Sequence, residues 1–167
     1  ITNYRVSYPM TKYAFFDVDK TIYDGFSAND FIEHAVETKF CEPIMKERMD
    51  TIVQGLISKE LSYHNASQKI MDLLGDIVEG KTVDEVNEVV DHALEQKGLN
   101  EWFEPIYRKL KEENYKIYLV SGGASFVINR IAQRIDEDIV ALSTEYSLSD
   151  GRYTNEPTNI LNGELKG

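Results

Sequence analysis

The sequence predicts an α/β fold in which a parallel sheet is interrupted by a long all-helical insertion. Three observations carry this. An apolar run at 13–16 ends in two acids, Asp17 and Asp19. A second apolar run at 115–120 ends in Ser121-Gly122-Gly123. Between them lie nearly a hundred residues whose apolar positions recur at helical spacing, a connection long enough to join parallel strands.

The first run, Tyr-Ala-Phe-Phe, reads as a short, fully buried strand. Side chains two apart on a strand share a face, so both acids can point into one crevice where that strand ends. Two adjacent anions repel unless a cation lies between them or one holds a proton. Magnesium and a phosphate ester would complete such a site. Next, Ile44, Met49, Ile52, Val53 and Leu56 form an apolar stripe. Ser62 opens a second helical segment carrying Tyr63, Ala66, Ile70, Leu73 and Leu74, ending at Gly75. The run Thr82-Val-Asp-Glu85 is a capping box for a third segment with Val86, Val89, Val90, Ala93 and Leu94, closing near Gly98. Asn100 opens a core helix with Trp102, Phe103, Ile106 and Leu110 that leads into the second strand. A helix follows Ser121-Gly122-Gly123 over 125–135, then two short strands at 139–142 and 145–148, and a turn at Asp150-Gly151.

The chain has 167 residues, 42% of them apolar, enough for one domain or a domain with an insertion. A net charge of −11 argues against nucleic acid or an anionic membrane surface as partner, since both need clustered Lys and Arg. No apolar run is long enough to span a bilayer and no signal-peptide pattern opens the chain, so a cytoplasmic location is expected. The single Cys41 excludes an internal disulfide and reads as a small apolar core residue. His34, His64 and His92 stand singly and read as structural, and strand alternation would turn Lys20 away from the acids.

Asp-x-Asp-x-Thr at 17–21 after an apolar strand, with a second strand ending in Ser121, resembles motifs I and II of the haloacid dehalogenase (HAD) superfamily. Asn-Gly-Glu-Leu-Lys at 162–166 looks like motif III of the branch containing phosphoserine phosphatases, and Asp-Gly-Arg-Tyr-Thr at 150–154 suits the same branch. The resemblance implies a Rossmann-like core at 1–23 and 99–167, with an all-helical C1-type cap at 24–98. It implies a magnesium-dependent phosphomonoesterase acting on a small phosphorylated metabolite, with a phosphotransferase, a phosphomutase or a non-catalytic binding module as alternatives. Asp17 is then the nucleophile, since a carboxylate can attack phosphorus, and Asp19 the acid and base. Thr21, Ser121, Gly122 and Gly123 would bind the phosphoryl group. The metal ligands would be the Asp17 carboxylate and the Asp19 carbonyl. Lys166 either neutralises charge at the phosphoryl group or is an ordinary exposed lysine. The family's later Gly-Asp-x-x-x-Asp stretch has no counterpart here, so the chain is read as missing its last core strands and as binding magnesium poorly alone. Phe26 stands where phosphoserine phosphatases carry a substrate-holding glutamate, which implies a different substrate. Lys46 or Arg48 could meet an acidic substrate group.

Overall fold

The computed structural model describes residues 11–161. Four strands form one sheet in the order β1 (Lys12–Phe16), β2 (Tyr115–Ala124), β3 (Val140–Ser149), β4 (Arg152–Asn159). The first three run parallel and β4 returns antiparallel to β3. The connection from β1 to β2 holds α1 (Ser27–Glu37), α2 (Ile44–Ile57), α3 (Tyr63–Val78), α4 (Val83–Gln96) and α5 (Phe103–Glu112), and α6 (Ser125–Ile135) joins β2 to β3. This is a Rossmann-like α/β core with an inserted helical cap.

β1 is less buried than its apolar run predicts. Tyr13 and Phe15 are exposed and stack with Tyr118 on one sheet face, while Ala14 and Phe16 point to the packed face. There Phe16 meets Phe103 edge-on, with ring centroids 5.2 Å apart. Phe103 is the buried residue of α5; Trp102 and Ile106, expected in the core, are largely exposed. The two short strands expected around 139–148 are one strand, β3, with Thr144 fully buried at its middle. The turn is as read: Asp150 and Gly151 both take positive φ, as a two-residue hairpin turn requires.

The cap helices start where their capping residues indicate. The Ser62 hydroxyl accepts from the Asn65 N–H at 3.2 Å. At Thr82 the box closes both ways, with the Thr82 N–H donating to Glu85 at 2.8 Å and the Glu85 N–H donating to the Thr82 hydroxyl at 3.3 Å. α3 does not stop at Gly75 but runs on to Val78. Gly75 serves packing instead: a Cβ there would lie 2.4 Å from the Asn155 carbonyl oxygen of β4. Ile44 and Tyr63, assigned to apolar stripes, are exposed. Two of the histidines read as isolated are neighbours, His34 of α1 stacking on His92 of α4 at 5.5 Å.

Two fastenings hold the insertion to the sheet. Its entry and exit pair with one another: the Asp24 N–H donates to Gly98, the Asn100 N–H to Ile22, and the Asn100 side-chain amide to the Thr21 carbonyl. Farther along, the α3–α4 turn pairs with β4, through Gly80 N–H to Tyr153 O at 2.8 Å and Tyr153 N–H to Lys81 O at 2.9 Å. The Tyr146 hydroxyl also donates to the Met71 carbonyl at 2.7 Å.

Candidate active site

A cavity of about 390 Å³ lies between the carboxyl ends of β1 and β2 and the cap. Its core side is built by the loop after β1 and the last residues of β2. β1 ends at Phe16, so Asp17 to Gly25 is a loop, wound so that the N–H groups of Thr21, Ile22 and Tyr23 all converge on the Val18 carbonyl. Asp17 and Asp19 both line the cavity. The Thr21 hydroxyl donates to the Asp17 carboxylate at 3.3 Å. Lys20 lines the cavity as well, with φ of 57°. The alternation argument against it fails because the strand has already ended.

Asp19 is the more enclosed acid. Burial pushes its pKa up, opposed by the Ser27 N–H, which donates to it at 2.9 Å from the first turn of α1, while the nearby Asp17 charge raises it further. Ser27 went unnoticed in the sequence because a backbone donor has no side-chain signature.

The last residues of β2 lie where the β2/β3 register shifts, between Val120 and Ala124. Ser121, Gly122 and Gly123 therefore leave the ladder with β3 and line the cavity. The Ser121 hydroxyl is buried and accepts from the Gly123 N–H at 3.1 Å. Thr144, also unforeseen, anchors this segment by donating to the Gly122 carbonyl at 3.0 Å and accepting from the Leu161 N–H at 3.2 Å. The structure thus brings Asp17, Asp19, Ser121, Gly122 and Gly123 to one cavity, with Thr21 behind Asp17. Lys166 lies outside the described residues.

Opposite, the cavity wall is aliphatic: Val53 and Leu56 from α2, Ile70 and Met71 from α3, with Phe26 at the entry to α1. Helical spacing alone reads Val53, Leu56 and Ile70 as core. Lys46 and Arg48 do not line the cavity. Lys46 pairs with Asp50 and Glu33, and Arg48 with Asp76 at 3.1 Å.

Among the described residues, no group of three or more His, Cys, Asp or Glu side chains is arranged to hold a metal. The oxygen donors of Asp17 and Asp19 do suit a hard cation such as magnesium, which commonly takes one or two carboxylates and completes its shell with water and substrate phosphate. No helix among the described residues is long and apolar enough to cross a membrane.

A family model described as haloacid dehalogenase-like hydrolase matches residues 14–166. A phosphoserine phosphatase from Methanocaldococcus jannaschii is 24% identical over 157 residues, covering 93% of this chain and 66% of its own length. Among solved structures, a HAD family hydrolase from Salmonella enterica subsp. enterica serovar Typhi superposes with a TM-score of 0.67 at 19% identity, covering 95% of this chain and 50% of its own. A phospho-aspartyl intermediate analogue of phosphoserine phosphatase gives 0.57 at 17% identity, covering 89% and 63%. The chain thus spans between half and two thirds of the length of these relatives. A parallel sheet, a helical insertion after β1 and the paired acids at its mouth all agree with the family match, and the chain belongs to the haloacid dehalogenase-like hydrolases.

Proposed function

We propose that the protein containing this chain hydrolyses a phosphomonoester through an aspartyl-phosphate intermediate. One observation carries the reading: the two acids of the loop after β1 and Ser121–Gly123 near the end of β2 line one cavity. Relatives named as phosphoserine phosphatase, one of them solved as a phospho-aspartyl intermediate analogue, support it.

In this reading the Asp17 carboxylate attacks phosphorus while the bond to the alcohol oxygen breaks, and Asp19 gives its proton to that oxygen. Asp19, now a carboxylate, takes a proton from water as the water oxygen attacks phosphorus, and Asp17 is released with orthophosphate. Burial of Asp19 favours the protonated form the first step needs. The Ser121 hydroxyl and the N–H groups at the start of α6 would hold the phosphoryl oxygens, with the helix dipole favouring the anion. Thr21 acts through its hydrogen bond to Asp17, and Lys166 is assigned to the phosphoryl charge. The Asp17 carboxylate and the Asp19 carbonyl are the proposed magnesium ligands; magnesium would neutralise phosphate charge and keep Asp17 ionised. Residues 24–98 are assigned to the cap and 1–23 with 99–167 to the core, a division that the hydrogen bonds between the entry and exit segments support.

Asp17→Asn tests the reading. It keeps the side-chain shape but cannot form the acyl phosphate, and kcat on acetyl phosphate with magnesium should fall by more than about a thousandfold. A wild-type rate would exclude the covalent route.

A further inference from the structure

The cavity is divided by chemistry. Among the described residues, its charged lining groups are Asp17, Asp19 and Lys20, all on the loop after β1. The cap side offers no charge of either sign. Phe26, Val53, Leu56, Ile70 and Met71 present carbon, Ser67 adds one neutral hydroxyl, and the cap cations Lys46 and Arg48 do not line the cavity but pair with acidic neighbours. At the rim stand Ile57 and Tyr63, each 67% exposed yet lining the same cavity. Large apolar groups left in water at a cavity mouth are costly for a free surface and suit a bound apolar one.

Resting on the phosphatase reading, we propose that the substrate's alcohol portion is an uncharged apolar group, aryl or branched alkyl, lying against α2 and α3 with its phosphate at Ser121–Gly123. An amino-acid head group would place an ammonium and a carboxylate against this wall with no counter-ion. An unpaired charge in such surroundings costs far more than an apolar contact returns. An apolar group instead removes from water its own surface and that of the half-buried Phe26, Val53 and Leu56 and the exposed Ile57 and Tyr63. The volume, about 390 Å³, is at the lower end of small-ligand sites.

The test uses the full gene product with magnesium and compares 2-phenylethyl phosphate, whose alcohol leaves no more readily than that of serine, with O-phosphoserine and acetyl phosphate. We expect kcat/KM for 2-phenylethyl phosphate to exceed that for O-phosphoserine by about a hundredfold. Ile57→Asp and Tyr63→Asp change exposed positions that the fold tolerates, and each should lower the ratio of 2-phenylethyl phosphate to acetyl phosphate turnover by about tenfold. O-phosphoserine equal or superior to the phenylethyl ester, or a ratio unmoved in both variants, overturns the proposal. If neither ester nor the acyl phosphate is turned over, the phosphatase reading fails by itself. Calorimetry with 3-phenylpropylphosphonate then decides the pocket: binding that weakens in Tyr63→Asp sustains the apolar assignment, and no binding overturns it.

Discussion

The two walls of the cavity are made in different ways. The core wall consists of the loop after β1 and the last residues of β2, where small residues and backbone N–H groups are held by specific hydrogen bonds: Ser27 to Asp19, Gly123 to Ser121, Thr144 to Gly122. The cap wall consists of helix faces packed by side-chain shape, with aliphatic groups set by helical spacing. Positioning by hydrogen bonds is directional and intolerant of displacement, whereas an aliphatic wall accepts volume-conserving change. Reaction and selection are therefore separable: changes to the core wall should scale all substrates together, and changes to the cap wall should alter their ratios.

The largest expected effect that tests this separation is at Asp19. Asp19→Asn still accepts the Ser27 N–H, so the loop is retained, but no proton can be delivered. Loss of about 10²–10⁴ in kcat is expected, equal for apolar and compact phosphoesters; a loss confined to one substrate would break the comparison. Gly122→Ala comes next. Its Cβ would lie 2.9 Å from the Leu161 carbonyl oxygen, a backbone atom, so one chain must move. A shift of the phosphate-binding segment should cost roughly ten- to a hundredfold in kcat/KM on every substrate, measured at constant magnesium.

Thr82→Ala acts behind the cap wall. It removes one partner of a closed capping box and should lower stability by about 1 kcal/mol in urea unfolding, with substrate ratios unchanged. The smallest effect is set at Asp136, remote from both walls. Hydrogen bonds from the Tyr107 hydroxyl and the Asp138 N–H, together with Lys111, hold its pKa at about 2. A depressed carboxylate contributes stability above its unfolded pKa and loses it as pH falls, here from about 4 down to about 2. Asp136→Asn should flatten acid unfolding over that interval.

The acids and the Ser-Gly-Gly run were legible in sequence because their chemistry is local: an apolar strand followed at once by the residues that need its end. Helix starts at Ser62 and Thr82 were legible for the same reason. Val53, Leu56, Ile70 and Met71 were not, since a helical period marks an apolar face without saying whether protein or ligand covers it. Thr144 fell in the gap between the two strands expected at 139–142 and 145–148, and its two partners lie 22 and 17 residues away. The exposed Tyr13 and Phe15 show the converse, since a run of apolar residues cannot distinguish a strand covered on both faces from one covered on a single face.

The pairing of the α3–α4 turn with β4 bears on how a substrate enters. Swinging the whole insertion as one rigid body would break the Gly80–Tyr153 and Tyr153–Lys81 hydrogen bonds and the Arg152 contact to the Gly80 carbonyl, and would pull Gly75 away from Asn155. Each such bond is worth about 1 kcal/mol, so the insertion is riveted along its α3 side. Traffic through the mouth is left to α2 and the 58–62 turn, whose tip carries no backbone bond to the sheet among the described residues. Displacing the insertion as a whole is therefore the costlier motion, because it breaks every one of these bonds at once.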